Sequence, residues 1–304
     1  MSPVTILDGG MGRQLSRMGA PFRLPEWSAL ALIEAPEFVS RAHAAFIDSG
    51  ANVITTNSYG LAPSRIGESR FAAEGRSLAD RGPADPENAA FRVRVAGSLP
   101  PMFETYRPEL FDADRAPALL DKLVAGLAPH VDFWLIETQS STRESGAAIE
   151  ACRHTGLPIW VSYALRDEAG RGSPADGGPT DLRSDERVED AVALDIRRGV
   201  AAVLFNCSQP EVMNAAVRAA ARVVAAGPRP GVPIGVYANA FVPEPPSDEP
   251  YAGISEIRTD VTPQRYVDWA LEWVASGASI IGGCCGIGPE HIAALRDRLG
   301  VRPQ

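Results

Sequence analysis

Long apolar runs, an excess of basic charge, and the signatures of phosphate loops and serine nucleophiles are all missing from this sequence. No segment offers the roughly 18 uninterrupted apolar residues that a membrane span needs, so no spanning helix is expected. The opening Met-Ser-Pro-Val-Thr-Ile-Leu-Asp has no basic stretch followed by an apolar one. It reads as a first strand rather than a signal peptide, which makes the cytoplasm the expected location. The formal charge is −9, which argues against nucleic acid or an anionic membrane as the partner. Without a Gly-x-Ser-x-Gly elbow or a phosphate loop, serine-hydrolase and nucleotide readings lose their support. The four histidines, His43, His130, His154 and His291, fall in helical or turn segments, and no catalytic role is assigned to them.

Cysteine is scarce: Cys152, Cys207, Cys284 and Cys285. In a reducing compartment a disulfide framework is not expected, and adjacent cysteines rarely pair because the geometry is strained. The cysteines therefore point to metal or reactivity. The rest of the composition is that of an ordinary globular chain, 45% hydrophobic and 22% charged. A length of 304 residues suits one closed α/β barrel and can bury a core that needs no cross-links.

Eight short apolar runs recur, each followed by a turn and a helical pattern. They are 4–8, 52–57, 94–98, 133–137, 159–163, 202–207, 234–239 and 278–284. Continuous rather than alternating apolar residues suit parallel strands buried on both faces. Between them lie punctuated helices. In 36–50, Val39, Ala42 and Phe46 share one face between Pro36 and Gly50. In 262–277, Thr262 reads as N-cap and Pro263 as the first helical residue, with Val267, Leu271 and Val274 as the buried stripe. Eight even strand–helix units, with no Gly-x-Gly-x-x-Gly after the first strand, favour a closed (β/α)8 TIM barrel over a doubly wound sheet. The expectation is a single domain over residues 1–304. Two stretches break the rhythm, 166–187 after the fifth strand and 241–260 after the seventh. The second is expected to act as a lid, with Glu244, Asp248 and Glu249 facing a cationic donor, unless it is only a solvated acidic loop.

Polar residues sit at the C-terminal ends of the strands, which in a closed barrel converge on one mouth. In order these are Asp8, Thr56 with Asn57, Ser98, Glu137, Ser162 with Tyr163, Cys207, Asn239, and Cys284 with Cys285. Three thiolates brought together repel unless a cation holds them. Zn²⁺ suits sulfur ligands, and three protein ligands leave the fourth position of a tetrahedron open. Cysteine as a small buried hydrophobe is the reading adopted for Cys152. It is set aside for Gly282-Gly-Cys-Cys-Gly286, where glycines let both sulfurs turn toward one ion. Asp8 and Glu137, ending apolar strands, should meet a cation or a substrate donor, since an unpaired buried charge costs several kcal/mol. Acid–base work and structural pairing with Arg13 or Arg143 remain open for them. Trp27 either walls the mouth or simply packs.

At these residues the sequence resembles the homocysteine S-methyltransferase family, over nearly the whole chain. The resemblance rests on Ile6-Leu-Asp-Gly-Gly-Met-Gly, Gly50-Ala-Asn-Val-Ile-Thr-Thr-Asn-Ser-Tyr59, Glu137 and Asn206-Cys207-Ser208. Its most specific element is Gly277-Ala-Ser-Ile-Ile-Gly-Gly-Cys-Cys-Gly286, with Pro289 and His291 following. It implies Zn²⁺ on Cys207, Cys284 and Cys285, Asp8 and Glu137 on the α-amino group of homocysteine, and amides near Gly9 on its carboxylate. Trp27, Thr56, Asn57 and Asn239 complete the expected substrate-binding set, and no protein nucleophile is required. It also implies methyl transfer to the homocysteine thiol, giving methionine, from a donor such as S-methylmethionine, S-adenosylmethionine, betaine or a methylfolate. Folate-linked members carry further domains for which this chain has no room. Betaine users share Trp27 but add a tyrosine where Gly60 stands, whereas Leu24-Pro-Glu-Trp-Ser-Ala29 is similar to the S-methylmethionine branch. A sulfonium donor is therefore expected. A selenol or another small thiol as acceptor, and a non-catalytic zinc-binding protein, are the alternatives. The expected partners are small molecules, with homo-oligomerisation left open.

Overall fold

The computed structural model describes residues 4–79, 93–167, 180–243 and 255–300. Eight parallel strands carry it: β1 (Thr5–Ile6), β2 (Val53–Thr55), β3 (Arg94–Leu99), β4 (Phe133–Gln139), β5 (Ile159–Tyr163), β6 (Ala202–Asn206), β7 (Ile234–Tyr237) and β8 (Ile280–Ile281). They hydrogen-bond in the order β1-β8-β7-β6-β5-β4-β3-β2. The ring closes between β1 and β2 through a parallel bridge of Leu7 with Val53. Asn52 fastens that seam twice. Its amide donates to the Ile6 carbonyl at 2.7 Å, and its side-chain oxygen accepts from the Ile6 amide at 3.0 Å. The result is the expected (β/α)8 barrel.

Burial on both faces explains the apolar runs. Leu7, Phe133, Leu135, Trp160, Leu204 and Ile280 fill the bore. The alternate residues Ile54, Val95, Ile136, Val161, Val203 and Val236 pack outward under the helices. The guanidinium of Arg94 lies 5.0 Å and 5.2 Å from the ring centres of Phe133 and Trp160, covering aromatic faces that water would otherwise reach. Several strands are shorter than their runs. The eighth shrinks to Ile280–Ile281, because Gly282 and Gly283 already turn the chain toward the mouth.

The helices are α1 (Met11–Arg17), α2 (Ala29–Glu34), α3 (Pro36–Asp48), α4 (Pro63–Ile66), α5 (Glu68–Ala79), α6 (Ala116–Leu127), α7 (Thr142–Arg153), α8 (Val188–Arg198), α9 (Pro210–Ala226), α10 (Pro263–Ala275) and α11 (Pro289–Leu299). In α3, Val39, Ala42 and Phe46 are buried as the spacing predicts. In α10 the Thr262 hydroxyl caps the Arg265 amide at 3.2 Å, also as predicted, but the stripe is different. Tyr266, Val267, Ala270 and Trp273 are buried, while Leu271 and Val274 are half-exposed. Two aromatics seven residues apart offer more area than the aliphatics, and their rings meet edge to face at 5.5 Å. Among the described residues no helix is long and apolar enough to cross a membrane.

Tyr266 also reaches the barrel rim. Its hydroxyl donates to the Gly282 carbonyl at 2.7 Å and accepts from the Ala238 amide at 3.0 Å, tying the ends of β7 and β8. Tyr266→Phe strands both buried backbone groups, which should cost about 1–3 kcal/mol. Thermal unfolding should show a melting temperature lower by a few degrees; an unchanged value would mean that the hydroxyl does not brace the rim.

Candidate metal centre

A cavity of about 780 Å³ opens at the C-terminal ends of the strands. Every residue expected at the site lines it: Asp8, Gly9, Trp27, Thr56, Asn57, Glu137, Cys207, Asn239, Cys284 and Cys285. None of the four histidines does. His291 is buried, accepting from the Gly288 amide at 3.2 Å and lying 3.0 Å from the Val261 carbonyl, a structural role. Three strand-end residues also fall outside, Ser98 among them, its hydroxyl donating to Glu137. Tyr163 points away to Asp195 at 2.6 Å, and Ser162 bonds the Asn206 side chain at 2.7 Å.

The sulfurs of Cys207, Cys284 and Cys285 lie within 4.8 Å of one another, the one such ligand group found among the described residues. Cys207 directly follows β6 and has a left-handed backbone, φ 49°. Cys284 follows the glycine turn, its amide donating to Ala238 at 2.9 Å, and the Cys285 carbonyl accepts from Ala240 at 2.8 Å. The close approach of the first loop requires Gly10, where a Cβ would lie 2.6 Å from the Cys284 carbonyl oxygen. Cys152, by contrast, is fully buried on α7, as expected.

The structure corrects one expectation. Cys207 and Cys284 are joined sulfur to sulfur. The pair cross-links only the cluster. Thiols gathered closely enough to share one ion are close enough for an external two-electron oxidant to join two of them, with loss of both protons, and reduction restores both as ligands. As thiolates the three form a soft, all-sulfur donor set with one side open to the cavity, and this fits Zn²⁺ with a free fourth position. Burial pushes the Cys285 thiol up to about 11, although the positive charges of Arg13 and Arg65 oppose the rise. A cation in the cluster supplies what those arginines only begin.

The two carboxylates face the same space. Asp8 accepts from the Thr55 amide at 2.7 Å and the Thr55 hydroxyl at 3.0 Å. Glu137 accepts from the Ser98 hydroxyl and, at 3.3 Å, from Tyr237. Neither is paired with Arg13, which donates to the Ser255 carbonyl, or with Arg143, which lies over the Phe111 ring. The ion-pair alternative is therefore not the arrangement found. Burial lifts Asp8 to about 7 despite the Thr55 bonds, with Glu137 adding repulsion, and burial lifts Glu137 to about 7 as well.

The other expected binding residues line the cavity while serving its wall. The Thr56 hydroxyl accepts from the Ser98 amide at 2.9 Å, and Asn57 donates to the Ser28 carbonyl at 3.1 Å. Asn239 accepts from Gln209 and the Phe241 amide, both at 3.3 Å. Trp27 has φ 55° and stands between Phe22, ring centres 5.0 Å apart, and Arg65. Sequence reasoning missed Asn206, whose side chain bonds the Thr138 amide at 3.1 Å and the Thr138 hydroxyl at 2.8 Å, fixing the left-handed turn after Glu137. It also missed Tyr106, Gln209 and Tyr237. Only Asn206 and Gln209 carried a signal, Asn206 through the Asn206-Cys207-Ser208 motif and Gln209 two residues beyond Cys207. The lid residues Glu244, Asp248 and Glu249 lie outside the described residues. The described ends of that segment meet through an antiparallel bridge of Phe241 with Ile257.

Fold and site together define a (β/α)8 barrel with a metal-competent three-cysteine mouth. The family model for homocysteine S-methyltransferase matches residues 5–299, and the chain belongs to that family of methyltransferases. Homocysteine S-methyltransferase 3 of Arabidopsis thaliana is 26% identical, the match covering 98% of this chain and 90% of that protein. A selenocysteine Se-methyltransferase of Brassica oleracea var. italica is also 26% identical, over 98% of this chain and 89% of its own length. The metallated form of the homocysteine methyltransferase MmuM from Escherichia coli superimposes with a TM-score of 0.74 at 25% identity, covering 98% of this chain and 96% of that one. Its oxidized form gives 0.73 at 26%, covering 97% and 96%.

The raised carboxyl values have a thermodynamic sign. Folded Asp8 holds a proton up to about pH 7 that the unfolded chain releases near 4, so the free protein loses stability as pH rises through that window. Asp8→Asn removes this loss. Its melting temperature relative to wild type should climb between pH 5 and pH 8, by an amount corresponding to a few kcal/mol at most. A difference that stays flat or falls with pH would contradict the buried-carboxylate account.

Proposed function

We propose that this chain transfers a methyl group from a sulfonium donor, S-methylmethionine or S-adenosylmethionine, to the thiol of homocysteine, giving methionine, with Zn²⁺ held by Cys207, Cys284 and Cys285. The observation that carries the reading is the placement of three convergent sulfurs and two buried carboxylates on one cavity. Zinc, when bound, lowers the pKa of a thiol and keeps it as thiolate at neutral pH.

The chain's own residues supply binding and orientation. Asp8 and Glu137 receive the α-ammonium group of the acceptor. Its positive charge draws both carboxyls back toward their ionised form and offsets their desolvation. Thr55, Ser98 and Tyr237 hold the carboxylate oxygens in place for it. Gly9, on the same wall, leaves backbone rather than side chain beside the acceptor's carboxylate. Trp27 and Tyr59 limit water at the reacting end. In the transfer the acceptor sulfur's electron pair forms the new S–C bond. The donor's S–CH3 bond breaks with its pair going to the donor sulfur, and the thiol's proton has left to solvent beforehand. Positive charge on the donor is cancelled, which a poorly hydrated pocket favours.

Gly60 supports a sulfonium donor over betaine. A Cβ there would lie 3.0 Å from both the Cβ and the amide nitrogen of Ala29, so the tyrosine of betaine users would need the Ala29 backbone to give by a few tenths of an ångström. A selenol acceptor is the second reading, favoured by the similarity to a selenocysteine Se-methyltransferase. Both readings need an amino-acid end for Asp8 and Glu137.

Reduced, zinc-loaded protein incubated with homocysteine and each donor in turn tests the proposal, with methionine as the readout. A sulfonium should support turnover and betaine should not. Asp8→Asn should raise the homocysteine KM roughly 10- to 100-fold, the loss of one charge-assisted contact, with zinc still bound. Turnover with betaine alone would overturn the donor assignment. An unchanged KM would remove Asp8 from acceptor binding.

A further inference from the structure

The turn Cys207-Ser208-Gln209 is gripped by loops that contribute no ligand. Cys207 has the left-handed φ of 49°, a conformation that a side-chain-bearing residue keeps only where its surroundings hold it there. Its amide donates to the Tyr237 carbonyl at 3.3 Å, which belongs to the barrel itself. Its carbonyl accepts at 2.9 Å from the hydroxyl of Tyr106, which comes from the loop after β3, 101 positions earlier in the chain. Tyr106 too is left-handed, φ 66°, so the bond links the side chain of one left-handed residue to the backbone of another.

The tyrosine is held in turn. The Arg183 guanidinium lies 4.3 Å from its ring centre. Arg183 pairs with Asp167, and both are among the less exposed ionic groups of the mouth, with side chains 14% and 7% accessible. The other oxygen of Asp167 accepts from the Gln209 amide at 2.8 Å, two residues beyond Cys207. A closed circuit thus runs from Cys207 through Tyr106, Arg183 and Asp167 back to Gln209. The circuit draws on the β3 and β5 loops and returns to the β6 turn. Tyr106, Arg183, Asp167 and Gln209 all line the cavity.

We propose that Tyr106 is a positioning residue for the metal, its hydroxyl fixing the backbone of Cys207 so that this sulfur faces Cys284 and Cys285, with Arg183 and Asp167 keeping the tyrosine in place. The hydroxyl of Tyr106 is engaged by the Cys207 carbonyl. It acts through the carbonyl of a ligand residue, and its effect therefore falls on metal retention as well as on rate. Groups that orient metal ligands typically contribute 10- to 100-fold in metal affinity.

The inference rests on the zinc reading above, and the test separates the two. Zinc affinity of the reduced full chain is measured by competition with a chromophoric chelator, without turnover, for wild type and Tyr106→Phe. Cobalt(II)-substituted samples supply the thiolate charge-transfer band as a second readout. Tyr106→Phe should bind zinc roughly tenfold more weakly and show an altered cobalt band, with a melting temperature lower by no more than a few degrees for the lost bond to the Cys207 carbonyl. Asp167→Asn, which breaks the pair with Arg183, should weaken zinc in the same direction, and it decides the matter if Tyr106→Phe proves unstable. Equal zinc affinity and identical cobalt spectra in these variants would overturn the positioning role while leaving the zinc site intact. A wild-type chain that binds no zinc would overturn both.

Discussion

Three sulfurs within 4.8 Å of one another are the constraint that the mouth of this barrel is built to satisfy. Two of them arrive on β8's glycine turn and the third directly after β6, so no local sequence element could gather them. Only closure of the barrel does. The seam at Asn52, the Tyr266 brace between β7 and β8, and the left-handed Cys207 are all local consequences of bringing those strand ends to one point. As thiolates such a cluster repels itself and calls for a soft cation. Oxidised by an external two-electron acceptor, two of its thiols are close enough to form the disulfide seen between Cys207 and Cys284.

The carboxylates obey the same logic of deferred charge. Asp8 and Glu137 are buried beside the cluster with hydroxyl and amide donors but no paired arginine. Both are lifted to about 7, which means the fold bears part of their desolvation cost. A ligand bringing an ammonium group relieves that cost. Under the proposed function, such a site takes an amino acid's ammonium group at the carboxylates and its thiol at the sulfur cluster.

Much of this was legible in the sequence because buried parallel strands write themselves as continuous apolar runs, and because a barrel converts strand order into spatial proximity. Asp8, Glu137, Cys207 and Cys284–Cys285 could be placed together from strand ends alone. The buried stripe of α10 was misjudged because two large aromatics outweigh periodically spaced aliphatics. Tyr163 was grouped with the mouth although a strand's last residues alternate in direction, and its hydroxyl serves Asp195 on the outer side. Tyr106 was invisible because it sits in an irregular loop and acts through a single backbone contact with a residue far along the chain. The segment expected to act as a lid lies mostly outside the described residues.

X-ray absorption at the zinc edge of the reduced, zinc-loaded protein tests the central claim most directly, since it counts the sulfurs around the ion. The account predicts three sulfur neighbours at about 2.3 Å with one lighter ligand, becoming four sulfurs when homocysteine is added. A first shell dominated by nitrogen or oxygen, or a sulfur count that homocysteine leaves unchanged, would contradict it.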